Sequence, residues 1–177
     1  MDIKPHKNME FRDLMAELVR LFAPNTYVEV GVQRGYTFNF IAPMVQRAVA
    51  VDIQDMPCVI DRPNVQKHVA PSAEFAAIWH APIDFLFIDA DHRKEAVLAD
   101  FDLLSPFVRN GTGLIFLHDT HPVQDSLLSD RFCSNAWEAA WVIRKNRRYK
   151  DFEIVTLPGP WAGISIIRKA DGHLSWR

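Results

Sequence analysis

Short apolar runs separated by segments with helical periodicity constrain the fold of this chain more than any other feature. The runs at 48–51, 85–88 and 114–117 are apolar at consecutive positions, and each is followed by an acidic residue or a histidine. Strands that are apolar on both faces are typical of a parallel sheet covered by helices on two sides. The alternation therefore predicts an α/β protein with a mostly parallel sheet.

The full pattern predicts seven strands and five helices in one domain that spans residues 1–177. The tight link at 158–161 predicts a final antiparallel hairpin, so the last strand should run against the others. The predicted strands are 27–30, 48–53, 65–70, 84–89, 113–117, 152–157 and 163–168. The predicted helices are 8–22, 37–46, 72–80, 93–104 and 135–146.

Several details of the helices follow from residue types and spacing. Residues 1–24 should form an N-terminal helix that packs on the domain, with Asn8 as its N-cap. Asn135 and Glu138 have the spacing of a capping box at the start of the last helix. The tryptophans Trp137 and Trp141 are expected in the core, and Trp161 either in the hairpin packing or in the wall of an acceptor pocket.

The net charge limits the classes of binding partner that we expect, and the cysteine content indicates the cellular compartment. A formal net charge of −2 provides no general attraction to nucleic acid or to an anionic membrane. Cys58 and Cys133 are far apart in sequence and suit a reduced protein. The opening residues lack the apolar core of a signal peptide, and no apolar run is long enough to span a bilayer. We therefore expect a cytoplasmic protein that binds neither membranes nor nucleic acid.

Polar residues gather where the predicted strands end. Glu29 and Gly31 follow the first strand, with Gly35 four residues later, and Asp52 ends the second strand. Glycines let the backbone approach a ligand closely, and their spacing differs from the Gly-x-Gly-x-x-Gly dinucleotide fingerprint. A carboxylate at the position of Asp52 can accept hydrogen bonds from ribose hydroxyls, or it can simply cap a loop. Because ligands of open α/β sheets bind beyond the carboxyl ends of strands, these residues predict a pocket.

In this order, the motifs resemble those of class I S-adenosylmethionine-dependent methyltransferases, close to the small-molecule O-methyltransferase branch. The resemblance covers residues 27–169 and implies a Rossmann-like methyltransferase fold, with a mostly parallel seven-stranded sheet, an antiparallel last strand and helices on both faces. The segments that carry it are Val28-Glu29-Val30-Gly31-Val32-Gln33-Arg34-Gly35, Ala50-Val51-Asp52, Phe87-Ile88-Asp89-Ala90-Asp91-His92 followed by Glu95-Ala96-Val97-Leu98-Ala99-Asp100, and Gly111 through His118-Asp119-Thr120.

The resemblance implies a cofactor site for S-adenosylmethionine. Gly31 and Gly35 would border the methionine part of the cofactor, and Glu29 would lie near its amino group. Asp52 would bind the ribose hydroxyls and Ser72 would contact the adenine. Asp89, at the end of the fourth strand, is also assigned to the cofactor side of the pocket.

A second centre is expected at the ends of the fourth and fifth strands. Asp89, His118 and Asp119 could hold one divalent cation, which would lower the pKa of a substrate hydroxyl. His118 stands where metal-dependent relatives often have an acid, which leaves Mn²⁺, Fe²⁺ or Zn²⁺ open besides Mg²⁺. Asp91 or His92 is the candidate general base. In the alternative reading Asp91 is a helix N-cap, His118 a hydrogen-bonded strand end and Asp119 a turn cap.

The function expected from these features is methyl transfer from S-adenosylmethionine to a hydroxyl of a small-molecule acceptor. The sequence leaves three alternatives open: a nucleotide-binding oxidoreductase, a metal-dependent hydrolase that also uses His121, and a non-catalytic methyltransferase-like binding module. The first helix and the segments 54–63 and 120–134 are the expected pocket walls. A homo-oligomer is a further expectation, since a second copy could complete an open cleft.

Overall fold

A twisted sheet at the centre of the molecule determines where every functional side chain lies. The computed structural model describes residues 10–159 and 162–171. Its strands are β1 Thr26–Val30, β2 Arg47–Asp52, β3 Val65–Val69, β4 Phe85–Ile88, β5 Leu114–His118, β6 Phe152–Leu157 and β7 Ile164–Lys169. They form one seven-stranded sheet in the order β3-β2-β1-β4-β5-β7-β6. The strands β1 to β5 pair in parallel, whereas β7 pairs antiparallel with both β5 and β6. This confirms the predicted sheet and its antiparallel last strand.

Helices cover both faces of this sheet. The α-helices in the described part of the chain are α1 Phe11–Phe22, α2 Tyr36–Ile41, α3 Ser72–Ile78, α4 Lys94–Leu104 and α5 Ala136–Lys145. Short 3₁₀ turns lie at Ala42–Met44, Ser105–Phe107, Asp125–Leu128 and Arg147–Tyr149. The 3₁₀ turn that follows α2 contains Pro43, so the predicted helix at 37–46 ends early, as expected where proline removes a backbone donor.

Alternating strand residues divide the core into two layers. Tyr27 and Phe87 belong to the layer under α1 and α2, whereas Val28 and Ile88 belong to the layer under α3, α4 and α5. Successive side chains of a strand point to opposite faces, so a strand buried on both sides must be apolar at every position. The apolar runs of the sequence therefore correspond to the central strands, as predicted.

The N-terminal helix packs on the first of these layers. Met15, Ala16 and Val19 of α1 are buried there. The helix begins after Glu10, whose backbone N–H donates to the Asp13 carboxylate at 3.0 Å. The predicted N-cap Asn8 lies outside the described residues.

The beginning of α5 differs from its prediction. Asn135 and Glu138 do not form a capping box, because both side chains instead contact the first residue of α4. Asn135 Oδ1 accepts from the Lys94 backbone N–H at 2.8 Å, and Glu138 Oε2 lies 2.9 Å from Lys94 Nζ. The two side chains thus connect two neighbouring helices, a role that spacing along one helix does not reveal.

The expected burial of two tryptophans on α5 is also wrong. Trp137 and Trp141 are 40% and 59% exposed. The buried face of this helix is formed by small and branched residues, namely Ala136, Ala139, Ala140 and Ile143. Trp161 lies outside the described residues.

Cys58 and Cys133 are both free thiols. In the described ranges, every helix is too short or too polar to cross a bilayer.

Candidate active site

A cleft of about 1260 Å³ opens at the carboxyl ends of the parallel strands. It lies between the turns that follow β1, β2, β4 and β5, because the strand order places β1 between β2 and β4. All but one of the predicted site residues line it: Glu29, Gly31, Asp52, Ser72, Asp89, Asp91, His92, His118 and Asp119. Gly35 belongs to the same turn as Gly31, and its neighbours Arg34 and Tyr36 are in the cleft wall. The topology thus brings residues from four strand ends to one site.

The glycine turn after β1 is shaped by contact with the neighbouring strand end. Gly31 has φ +87°, and a Cβ at this position would overlap the backbone of Asp89 and Ala90. Its N–H donates to the Val51 carbonyl at 2.9 Å. Gly35 has φ +71° and precedes the first turn of α2. Only glycine adopts such positive φ values without a steric cost. Gly31 is therefore required because the backbone of its turn packs closely against the residues that follow β4. The other side of the same turn borders the cleft.

Glu29 is held by a buried hydrogen bond within its own strand. The Tyr27 hydroxyl donates to Glu29 Oε2, and both residues are at most 2% exposed. Burial raises the pKa of Glu29 well above its ordinary value, and Asp89 and Asp52 raise it further against the effect of the Tyr27 hydrogen bond. Burial also raises the pKa of Tyr27. Removing water penalises the ionised carboxylate, so the pair favours a neutral Glu29.

The Asp52 carboxylate accepts hydrogen bonds from the turns that follow β1 and β2. One carboxylate oxygen accepts from the Gln33 backbone N–H at 2.9 Å, and the other accepts from the Gln54 N–H at 2.9 Å. The loop-capping role considered for this residue is therefore present. Each carboxylate oxygen has a second lone pair that can accept another donor. Asp52 is thus oriented by the backbone and still able to bind a ligand from the cleft.

Ser72 contacts a carboxyl group on the next helix. Its hydroxyl donates to Asp100 Oδ1, and both residues line the cleft. Burial raises the pKa of Asp100, and the Ser72 hydrogen bond opposes this. Asp100 belongs to the motif that follows the fourth strand, but it was given no site role because it lies inside a predicted helix, and only the contact with Ser72 places it in the cleft wall.

Two carboxylates and two imidazoles meet at the ends of β4 and β5. His118 Nδ1 lies 3.1 Å from Asp89 Oδ1 and 3.1 Å from Asp119 Oδ1. His92 Nδ1 lies 3.0 Å from Asp119 Oδ2 and also contacts the Phe132 carbonyl oxygen, whereas His92 Nε2 is 3.6 Å from Asp89 Oδ1. Because both contacts of Nδ1 are acceptors, this nitrogen carries a proton and Nε2 is the one that can exchange it.

Electrostatic coupling sets the charge of this cluster. Burial would raise the pKa of Asp89, but His118 and His92 hold it below the ordinary value. Contact with Asp89, supported by Phe132 and Asp119, raises the pKa of His92 to about 9 against the effect of burial. The pKa of His118 is also raised, since its carboxylate neighbours outweigh burial. Without another cation, His92 is therefore protonated at neutral pH, and the protonated form of His118 is favoured in the same direction.

The same cluster has the donor set of a metal site. One ligand atom from each of Asp89, His118 and Asp119 lies within 4.8 Å of the others. Asp119 has φ +59°, an uncommon backbone conformation for a residue other than glycine. Two carboxylates and one imidazole suit Mn²⁺, Fe²⁺ or Zn²⁺, and the carboxylates also suit Mg²⁺. The residues therefore fit a divalent cation, while His121 is not part of this group.

The side chain of Asp91 forms an ion pair with Arg93, two residues further along the chain. Its carboxylate pairs with the Arg93 guanidinium and also accepts from the Arg93 backbone N–H at 3.0 Å. The side-chain hydrogen bond from Arg93 holds the pKa of Asp91 below its ordinary value. A carboxylate stabilised in this way is a weak base. Of the two candidate bases, His92 is the one that contacts Asp89 and Asp119, two of the residues that could hold a cation.

Two more residues of the site escaped the sequence reasoning. The ring of Phe11, at the start of α1, lies 4.3 Å from the ring of His118 between centroids. The first helix was expected to form part of the pocket wall, but helical spacing assigned Phe11 itself to the core, and only the position of α1 against β5 places its ring beside His118. Cys133 is buried next to Asp119, and burial raises the pKa of its thiol to about 12. The thiol is therefore protonated and hydrogen-bonds the carboxylate as a donor.

Fold and strand-end site together define the class of protein. The methyltransferase domain family matches residues 28–120, which is more than half of the chain and includes the glycine turn, Asp52 and the β4 and β5 ends. The chain belongs to this family.

Solved methyltransferase structures share the fold at low sequence identity. A methyltransferase from Podospora anserina bound to S-adenosylhomocysteine is 14% identical, with a TM-score of 0.70 over 91% of this chain and 78% of that chain. An O-methyltransferase from Bacillus cereus in complex with S-adenosylhomocysteine is 16% identical, with a TM-score of 0.66 over 95% and 82%. The O-methyltransferase TomG from Streptomyces achromogenes, with S-adenosylmethionine, is 16% identical, with a TM-score of 0.63 over 90% and 79%.

Proposed function

We propose that this protein transfers a methyl group from S-adenosylmethionine to a hydroxyl of a small-molecule acceptor, assisted by a divalent cation. The observation that carries the proposal is the placement of Asp52, oriented by two backbone N–H groups, across the cleft from the Asp89, His118 and Asp119 cluster. The family match and the cofactors in the related structures support the choice of cofactor.

The cofactor residues would act as anchors at one side of the cleft. Asp52 would accept hydrogen bonds from the ribose hydroxyls, and the Gly31–Gly35 turn would border the methionine portion. Ser72 would lie at the adenine end, where its hydroxyl is oriented by Asp100. Glu29, held by Tyr27, would face the amino group with its remaining carboxyl oxygen. Asp89 would stand between the cofactor and acceptor sides.

The chemistry requires a methyl donor and removal of one proton. S-adenosylmethionine, when bound, supplies a sulfonium methyl whose transfer to oxygen leaves a neutral thioether. A cation held by Asp89, His118 and Asp119 would lower the pKa of an acceptor hydroxyl. A cation at these carboxylates would also offset the charge that raises the pKa of His92, which would free Nε2 to accept the hydroxyl proton.

The acceptor side of the cleft combines an apolar ring with charged side chains. Phe11 offers an apolar ring beside His118, and Arg12 and His92 line the same cleft. Such a site can orient the acceptor hydroxyl for attack, and orientation contributes much of the rate in reactions of this kind. Asp91, paired with Arg93, would shape the entrance and contribute charge rather than act as the base.

Calorimetric titration with S-adenosylmethionine and S-adenosylhomocysteine, each with and without MnCl₂, tests the proposal directly. We expect both ligands to bind and the Asp52→Ala variant to bind them more weakly. Arg62→Ala, an exposed substitution outside the cleft wall, is the matched control. An absence of heat with both ligands at millimolar concentration would rule out this function. Cofactor binding without methylation of any hydroxyl compound in an acceptor screen would instead favour a binding module.

A further inference from the structure

The outward face of α5 carries two tryptophans that the fold does not bury. Trp137 is 40% exposed and Trp141 is 59% exposed, one helical turn apart. A single exposed aromatic side chain is common on protein surfaces, but two tryptophans side by side form a patch, and tryptophan is enriched in the centres of protein interfaces. None of the residues on this face lines the cleft. The face therefore requires an explanation other than the active site.

The tryptophans belong to a continuous stripe along the helix. With 3.6 residues per turn, the neighbours that share their side of α5 all lie within about 60° of Trp141. We define the α5 stripe as Trp137, Glu138, Trp141, Arg144 and Lys145. The opposite side of the helix is the buried one, so the stripe faces away from the sheet.

Charges along the α5 stripe are ordered symmetrically about Trp141. Glu138 precedes Trp141 by three residues and Arg144 follows it by three, while Trp137 precedes it by four and Lys145 follows it by four. Two antiparallel copies of α5 related by a twofold axis at Trp141 would thus bring Glu138 to the same height along the helix as Arg144 of the other copy, and Trp137 to the height of its Lys145. Because Glu138 and Arg144 lie on opposite flanks of the stripe, their contact requires the two helices to cross at an angle. Each contact would occur twice, as in any isologous interface. The pairings are an ion pair and a cation–π contact.

The charged members of the stripe are available for these contacts. Arg144 and Lys145 are exposed and have no ion pair within residues 10–159 and 162–171. Glu138 contacts Lys94 Nζ through Oε2, and its side chain is 36% exposed, which leaves Oε1 for a second partner. A partner of one charge would match only half of the stripe, whereas a second copy matches both signs.

We propose that the α5 stripe is the surface through which two copies of this chain associate. The stripe is about 12 Å long at a rise of 1.5 Å per residue, so the contact belongs to the small and reversible class of interfaces. Dimerisation here would extend the molecule on the face opposite α1 and α2 and leave the cleft of each copy open. The proposal does not depend on the methyltransferase activity.

Analytical ultracentrifugation over a wide concentration range measures the association. We expect the wild-type chain to form a reversible dimer, and Glu138→Lys and Arg144→Glu each to weaken it at least about tenfold, because two attractive pairs become repulsive. Arg62→Glu makes the same charge change at an exposed site elsewhere and should leave the dimer unchanged. Melting temperatures of all variants show whether Glu138→Lys also disturbs its contact with Lys94.

Mixing the two charge-reversed variants provides the sharpest test. In an equimolar mixture, Lys at position 138 of one chain faces Glu at position 144 of the other, and Arg144 of the first faces Glu138 of the second. We therefore expect a heterodimer to form although each variant alone is monomeric. A wild-type chain that stays monomeric at all concentrations would overturn the proposal. So would a dimer that neither substitution weakens, or a mixture that stays monomeric.

Discussion

The buried Tyr27–Glu29 pair makes the stability of this protein depend on pH in a calculable way. Burial raises the pKa of Glu29 well above its ordinary value of 4.5 in the folded chain, whereas the unfolded chain keeps a carboxyl near that value. Below pH 4.5 both states hold the proton and the group has no effect on the pH dependence. As pH rises toward the folded-state pKa, only the unfolded chain loses the proton, so stability falls.

The unfolding free energy falls with pH at a slope set by the one proton that the folded chain keeps and the unfolded chain loses. Each pH unit within the window lowers the free energy of unfolding by up to about 1.4 kcal/mol. Glu29→Gln places a neutral side chain of similar shape at the same position and removes this dependence. The difference in unfolding free energy between wild type and the Glu29→Gln variant should therefore shift steadily in favour of the variant as pH rises.

Urea unfolding followed by tryptophan fluorescence at several values between about pH 5 and pH 8 measures this difference. Tyr27→Phe is the matched second variant. It removes the hydrogen bond that lowers the pKa of Glu29, so the loss should extend to higher pH, and it should cost about 1–3 kcal/mol at low pH. Parallel stability curves for wild type and the Glu29→Gln variant across this range would refute the reasoning.

Three further predictions concern the cleft. Asp52→Ala should weaken S-adenosylmethionine binding about 10- to 100-fold, as expected for lost hydrogen bonds to a charged acceptor, measured by calorimetry; unchanged affinity would contradict the ribose role. Asp119→Ala should reduce turnover and Mn²⁺ binding while cofactor affinity stays within about threefold, since it removes a carboxylate proposed to hold the cation on the acceptor side; an equal loss of cofactor affinity in both variants would contradict this division. Gly31→Ala should lower the free energy of unfolding by at least about 2 kcal/mol, because a Cβ there meets the Asp89 backbone at a positive φ; a wild-type melting temperature would show that the turn can relax.

Strand-end polar residues were predictable because parallel strands share one carboxyl edge. Asp52, Asp89 and His118 follow apolar runs in the sequence, and the rule that ligands bind at this edge places them together without coordinates. The seven-stranded sheet follows from the same runs, as does its antiparallel last strand from the final hairpin. These features depend on local periodicity and on a general rule of topology.

Contacts between elements distant in sequence were not predictable. Nothing local to Glu138 shows that it reaches Lys94, or that Phe11 lies beside His118. The exposure of Trp141 has the same origin, since small residues on the other side of α5 are the ones that fit against the sheet. Periodicity identifies a stripe of large apolar residues, but packing volume decides which side of a helix is buried.

Sequence alone therefore determined the order of strands and helices, the class of fold and the residues at the strand ends, because each of these depends on periodicity and chain order. Tertiary structure alone decided the chemical state of those residues. The pKa of Glu29 is raised because burial removes water from it, and His92 is cationic at neutral pH because two carboxylates from different strand ends surround it. Desolvation and charge coupling act through space, so they are settled only when the strands pair.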